Sequence, residues 1–318
     1  MTVKPKFIFG PVPSRRLGRS LGIDVTPRKT CTFDCLYCEC GRTTELTVDR
    51  SCFADPGLIL NELREYFTSE ASAPVDVITF SGSGEPTLYT HLNELIYGIK
   101  KLYPGIPVGV LTNGSLLWND EVRRALILAD FVVPSLDAPS PEIWRRINRP
   151  HPAISWDQYV KGLVAFRKDY SGSYVLEVFL LKGINDSPEI LESFKRLIGK
   201  IKPDLVDLNT LARPGTASGV QGLDEEELVN AAATLRPFKC RVIGKYRKKN
   251  SAKPLTPFQI PDKVIAVVSR RPCTADELAD SLAIPFDRLQ GLLDELTTSG
   301  KVKKEKVAGR IFYSAPSE

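Results

Sequence analysis

Residues 31–41 read Cys-Thr-Phe-Asp-Cys-Leu-Tyr-Cys-Glu-Cys-Gly, setting Cys31, Cys35 and Cys38 at a C-x3-C-x2-C spacing within eight residues. Thiols that dense do not pack as apolar core, and their soft sulfur suits zinc, copper(I) or an iron–sulfur cluster. Structural zinc takes four ligands, often as two separated pairs. No second pair follows: past Cys40 come only the isolated Cys52, Cys240 and Cys273, and His91 and His151 are the only histidines. Three ligands on one short loop therefore fit a four-iron cluster with one iron left open.

The rest of the chain must supply whatever meets that iron. Its 318 residues hold one large domain and a small one. Seven cysteines, an odd and clustered set, argue against a secreted disulfide framework. No apolar run reaches the roughly 18 residues of a membrane span. The opening Met-Thr-Val-Lys-Pro-Lys leads into no signal-peptide core. The expectation is a cytoplasmic protein.

Past the cysteines, apolar runs and amphipathic periods alternate. Strands are expected at about Ser20–Val25, Val75–Phe80, Pro107–Leu111, Phe131–Ser135, Tyr174–Leu181 and Leu205–Thr210, with a short last one at Arg241–Gly244. Helices are expected at 56–68, Leu88–Leu102, Asn119–Leu128, Ile154–Arg167, Ser187–Gly199 and Asp224–Leu235. Buried strands alternating with helices make a helix-covered parallel sheet. About six such units predict an α/β fold, a partial (β/α)6 barrel; eight would need more chain. Chemistry in such folds gathers at the carboxyl ends of the strands. There the sequence places Gly82, Gly84 and Glu85 after the second strand, Thr112 and Asn113 after the third, Ser135 and Asp137 after the fourth, and Asn209 and Arg213 after the sixth.

The C-x3-C-x2-C motif with aromatic Tyr37 before its third cysteine resembles the radical S-adenosylmethionine (SAM) superfamily. That resemblance covers roughly residues 10–245. It implies a [4Fe–4S] cluster on Cys31, Cys35 and Cys38, with the fourth iron chelated by the amino and carboxylate groups of SAM. It further implies oxidoreductase chemistry, in which SAM is cleaved reductively to a 5′-deoxyadenosyl radical. Ser81-Gly-Ser-Gly-Glu85 resembles the Gly-Gly-Glu motif that holds the methionine amino group, with Ser83 in place of the first glycine of the pair. Thr112-Asn-Gly and Ser135-Leu-Asp137 resemble segments that lie near SAM, and Leu180–Asp186 resembles the stretch along the adenine. The run Gly10–Asp24 and Arg146-Ile-Asn-Arg-Pro-His151 resemble a prokaryotic group related to wyosine-forming tRNA enzymes. An electron donor such as a flavodoxin or ferredoxin is implied as partner.

The net charge of +5 is uneven. Residues 1–30 carry seven Lys/Arg and one Asp, and residues 239–253 carry seven Lys/Arg and no acid, which leaves the remainder at −8. Arg15, Arg16 and Arg19 are expected near the cluster mouth, binding an anion or pairing with acids such as Asp24 or Asp34. Cys40 is read as a bystander thiol or a hydrogen-atom donor, His151 as a turn cap or a general acid–base, and Arg213 as a contact to a carboxylate.

From about residue 258 the pattern changes. The domains are expected as 1–244 for the barrel, 245–257 as a basic linker, and 258–318 as three helices and a hairpin that resemble a winged helix-turn-helix. Its third helix, Pro285–Ser299, would expose Asp287, Arg288, Gln290, Asp294 and Glu295. The module balances nine Lys/Arg against nine Asp/Glu. DNA binders need a positive face, so docking of a macromolecular substrate or partner fits better. Two functions stand: a radical SAM enzyme acting on an unidentified substrate, RNA or a peptide, and an iron–sulfur sensor that regulates transcription through the winged module. No membrane is expected as partner.

Overall fold

The computed structural model describes residues 7–69, 73–213, 215, 217, 219–243, 260–282, 284–307 and 309–316. Its elements run β1 Ile8–Ser14, β2 Gly18–Ile23, β3 Thr30–Cys31, β4 Glu45–Leu46, α1 Pro56–Thr68, β5 Val77–Phe80, α2 Leu92–Leu102, β6 Val108–Thr112, α3 Asp120–Leu126, β7 Phe131–Pro134, α4 Pro141–Asn148 and α5 Trp156–Asp169. They continue as β8 Ser173–Leu180, α6 Pro188–Ile201, β9 Leu205–Thr210, α7 Glu225–Thr234, β10 Cys240–Val242, α8 Ile260–Val268, α9 Ala275–Leu282, α10 Phe286–Thr298, β11 Lys303–Val307 and β12 Arg310–Ser314. The expected basic linker 245–257, Gly244 and residues 1–6 lie outside the described residues.

Among the described residues one sheet of eight strands runs in the order β1-β2-β5-β6-β7-β8-β9-β10. From β2 to β10 every neighbour is parallel. Sequence explains the start of each helix. Asp55 caps α1 through Gly57 N and Leu58 N with Pro56 behind it, and Ser187 caps α6 ahead of Pro188. Capping boxes open α5 (Ser155, Gln158) and α7 (Asp224, Glu227). The helices turn apolar stripes inward, as with Leu92, Leu95, Ile96 and Ile99 of α2, onto strands such as β5, buried throughout.

The sheet curls. Arg16, in the turn between β1 and β2 at one end of the strand order, bonds Glu177 of β8 and sits 3.4 Å from Asp207 of β9 near the other end. Arg15 Nη2 donates to Asn209 Oδ1 of β9 at 2.9 Å. Such contacts between distant strands require a partial barrel with these arginines across its gap.

Besides the two-residue strands β3 and β4, two elements were not expected. The stretch from Gly10 up to the strand at Ser20 is expected from its prolines and glycines to be a loop, yet β1 pairs antiparallel to β2, with a register shift between Phe9 and Val12. Pro11 and Pro13 cannot donate to a ladder, and an outermost strand with an irregular register tolerates them. Helix α4 was missed although Ser140 caps it ahead of Pro141. It is only eight residues long, too short for its period to stand out.

The C-terminal elements are not tethered loosely. Phe9 and Val12 of β1 belong to the same apolar cluster as Val264, Val267, Leu278, Leu289 and Leu293. Arg271 Nη2 donates to Pro13 O at 3.3 Å, and the Arg270 guanidinium lies 4.7 Å over the Phe9 ring. No helix among the described residues is long and apolar enough to cross a membrane.

Candidate active site

The cysteine loop is pinned from both sides before any sulfur is considered. Phe33 is 2% exposed and meets Trp144 of α4 and Tyr159 of α5 edge-on, at ring separations of 5.6 and 6.0 Å. Its backbone follows the end of α4: Asp34 N donates to Asn148 O at 3.0 Å and Leu36 N to Ile147 O at 2.9 Å. The unexpected helix α4 is thus what positions the thiols.

Six of the seven cysteines then divide by hydrogen-bond role. The sulfurs of Cys31, Cys35 and Cys38 accept: Asn113 Nδ2 lies 3.6 Å from Cys31 Sγ, Asn148 Nδ2 3.4 Å from Cys35 Sγ, and Lys29 Nζ 3.2 Å from Cys38 Sγ. The sulfurs of Cys40, Cys52 and Cys273 donate to carbonyl oxygens instead, Cys40 to Gly82 O and Arg270 O. Nitrogen donors around a sulfur favour the thiolate, and the thiolate is the metal ligand. The three spaced thiols are therefore built as ligands, and Cys40 as a thiol. Burial, then the Glu85 charge, pushes the Cys31 thiol up to about 12, and burial raises Cys35 well above its ordinary value. Cys38 is lowered to about 6, first by a hydrogen bond from Cys40 and, against its burial, by the Lys29 charge. No three His, Cys, Asp or Glu side chains among the described residues close on a point fit for a single ion. Three thiols on one loop, each with a nitrogen donor to its sulfur, are a donor set that fits an iron–sulfur cluster.

Lys29 was not singled out from sequence. It is 5% exposed and holds φ +59°, a left-handed conformation that costs a lysine roughly 1–3 kcal/mol. Its backbone is fixed there by Lys29 N to Ser83 O and by Thr44 N and Glu45 N to Lys29 O. Asn148 was missed too; it bonds Cys35 and, at 2.6 Å, Asp137 Oδ2.

The strand-end residues form one network with the loop. Glu85, 2% exposed, accepts from Thr87 N, Thr87 Oγ1 and Thr112 Oγ1 on Oε1, at 3.0, 2.6 and 2.6 Å, and from Asn113 N on Oε2 at 2.8 Å. It ties the end of β5 to that of β6, and Oε2 keeps a lone pair for another donor. Burial raises its carboxyl, and the four donors work against that. Gly82 and Gly84 were expected to admit a ligand. Their immediate neighbours are protein groups: a Cβ at 82 would stand 2.3 Å from Asp24, and one at 84 would stand 2.2 Å from Thr30 O. Ser83 is explained by the same carboxylate, because its N and Oγ donate to Asp24 Oδ2 at 3.1 and 2.9 Å. Asp137, 1% exposed, accepts from the Tyr37 hydroxyl, Asn148 and Phe179 N, and burial pushes it up to about 7. Tyr37 stacks on Phe179 with centroids 3.9 Å apart. Ser135 follows β7, half-buried, with its N donating to Thr112 O. In the stretch likened to an adenine wall, Asn185 braces the backbone, bonding Asp137 O and Phe179 O at 2.8 Å each.

Other expected residues lie elsewhere. Arg19 is not at the mouth: it pairs at 2.9 Å with Asp76, the residue just before β5 and thus at the amino ends of the strands. The acids expected to take these arginines do not. Arg16 takes Glu177 and Asp207, and Asp24 pairs with Arg270 at 3.1 Å. Arg213, 3% exposed, reaches Glu277 of α9 at 2.8 Å and Glu39 at 3.5 Å. His151 Nδ1 accepts from Ala153 N at 3.2 Å within its own turn. A cleft of about 710 Å³ opens between the cysteine loop, at Cys38 and Cys40, and the C-terminal elements, at Val268, Pro272 and Lys303.

Comparison with known proteins converges on this arrangement. The family model described as Radical SAM superfamily matches residues 25–195, which span the cysteine loop and the ends of β5, β6 and β7. The GTPase Obg of Brachyspira hyodysenteriae is 40% identical over 312 residues, 98% of this chain; the chain spans only 45% of that protein. A UPF0026 protein of Methanocaldococcus jannaschii is 30% identical over 312 residues, covering 96% of this chain and 94% of its own. The solved structure of TYW1 with a lysine–pyruvate adduct bound shares the fold at TM-score 0.53 and 19% identity, over 71% of this chain and 75% of that one.

Proposed function

The chain belongs to the radical SAM superfamily and is an enzyme of it, with a [4Fe–4S] cluster and SAM as cofactors, and on that premise we propose which residues do the work. Cys31, Cys35 and Cys38 hold the cluster. Three sulfurs, each with its own nitrogen donor, beside a cysteine that donates, are the observation that carries this assignment. Once bound, the cluster supplies an electron for reductive cleavage of SAM to a 5′-deoxyadenosyl radical.

The residues of the rim bind and orient SAM. Glu85 Oε2 offers its remaining lone pair to the methionine ammonium. Asn113 links the same carboxylate to the Cys31 sulfur, so that movement of one is felt by the other. Asp137, Ser135 and Tyr37 line the side on which hydroxyls of the nucleoside would lie. The group within the superfamily is that of the UPF0026 proteins. The substrate, RNA or a peptide, meets the radical at the mouth of the barrel, and a flavodoxin or ferredoxin delivers the electron.

The C-terminal module resembles a winged helix in its three helices and hairpin. It serves here as a wall of the site. Its helix α10 exposes Asp287, Asp294 and Glu295 against Arg288, an acidic face that repels nucleic acid phosphates. The sensor reading is weaker, since a sensor needs no SAM-binding rim. Anaerobic reconstitution with iron and sulfide, reduction, and addition of SAM tests the assignment. The expected product is 5′-deoxyadenosine; its absence from a protein that has taken up four irons would overturn it.

A further inference from the structure

We propose that the cleft between the cysteine loop and the C-terminal module is an oxyanion site that receives a phosphate or carboxylate group of the substrate. The inference rests on the functional reading above and names the substrate's chemical class.

Five cations line the cleft, Arg28, Lys29, Arg42, Arg213 and Lys303, against two carboxylates, Glu39 and Glu305. Some are already engaged: Lys29 with Cys38, Lys303 with Glu305 at 3.5 Å, Arg42 with Asp34 at 3.3 Å. Arg213 is engaged incompletely. Its two terminal nitrogens serve Glu277 and Glu39, but its Nε is buried with no partner among the described residues. Arg271 Nε is likewise buried without a partner. Native proteins rarely leave such donors unmade, because the loss of hydration is not returned.

A third guanidinium adds to the surplus. The hydrogen bond of Arg15 goes to the neutral amide of Asn209. Burial, then the positive charge of Arg213, lowers its guanidinium to about 10. Glu39, also lining the cleft, lies 3.5 Å from Arg213 Nη1. Of these guanidinium groups only Arg213 lines the cleft, where it holds Glu39 and Glu277 and keeps its Nε unbonded among the described residues. Planar forks of this kind are matched by the paired oxygens of a carboxylate or phosphate. The position fits a substrate, since Cys38 and Cys40 line the same cleft.

Calorimetric titration of inorganic phosphate, pyrophosphate and acetate into the full-length protein, free of iron and SAM and at low ionic strength, tests this. Saturable binding is expected, weakened about tenfold or more in Arg213→Gln and in Arg28→Gln, the loss typical of a charge-assisted hydrogen bond. Arg19→Gln, at the amino ends of the strands, should bind as the parent does. Preference for the phosphates assigns a phosphate-bearing substrate, and preference for acetate a carboxylate. Arg28→Gln changes an exposed cation of the cleft's own lining, so it decides the matter if Arg213→Gln does not fold. No saturable binding of any probe, or binding unchanged in Arg28→Gln, overturns the proposal. Because neither cluster nor SAM is present, such a failure leaves the 5′-deoxyadenosine assay untouched, and the reverse also holds.

Discussion

The rim of the barrel and the seam beneath the C-terminal module are both made of buried polar groups, but they are assembled over different lengths of chain. At the rim, Glu85 meets Thr87 two residues away and Thr112 and Asn113 within 28, and the ties to Cys31, Tyr37 and Cys35 of the cysteine loop span 82 to 113. At the seam, Arg213 meets Glu277 across 64 residues, Arg15 meets Asn209 across 194, and Arg270 meets Asp24 across 246. The rim repeats short local patterns at successive strand ends. The seam depends on a sheet that must first curl before its partners can meet.

The largest effect expected breaks the comparison at the rim itself. Cys38→Ala should lose the cluster's absorbance on reconstitution and bring 5′-deoxyadenosine to background. Cys40→Ala, whose sulfur donates to carbonyls, should keep both. Equal loss in the two variants would erase the division of the cysteines by hydrogen-bond role.

At the seam, Glu277→Ala leaves Arg213 buried with a carboxylate removed, and should cost about 3–5 kcal/mol in urea unfolding. At the rim, Glu85→Gln keeps the shape but turns an acceptor into a donor among donors. That should cost about 1–3 kcal/mol, because one hydrogen bond is lost and Asn113 N or Thr112 Oγ1 is left unpaired. If the order of the two costs were reversed, the seam would be the less tightly bound region.

The last effect is one of pH. The Asp137 carboxyl is pushed up to about 7 in the fold by burial, against an ordinary value of 3.8. A raised carboxyl binds its proton more tightly folded than unfolded. Its contribution is full at low pH, falls as pH rises from about 4 to about 7, and is level above, by at most about 4 kcal/mol. Asp137→Asn should remove that fall from stability measured at pH 4.5, 6 and 7.5. Parallel profiles would show that the Tyr37, Asn148 and Phe179 donors already hold the group ionised.

What could be read in the sequence follows the same division. The alternation of strands and helices, the cysteine spacing and the polar strand ends are local, and they located α2, α6, β5, β6 and the thiols. The partners of those groups could not be read. Nothing near Cys35 announces Asn148, which arrives on a short helix whose Ser140-Pro141 start was the only signal. Nothing near Cys38 announces Lys29, since the left-handed turn that aims it is fixed by Ser83 O, Thr44 N and Glu45 N. Arg19 was misplaced because its side chain follows the pairing of β2 with β5, which sets it against Asp76. β1 was read as loop because prolines usually mark loops, and an edge strand is an exception.

Phe9 and Val12 complete an apolar interior to which α8, α9 and α10 supply the rest. A fragment cut before residue 260 would carry those two side chains bare, and the severed piece would lack its floor. The small lobe is therefore no interchangeable cassette. Any exchange of it would have to be met by new side chains at Phe9 and Val12.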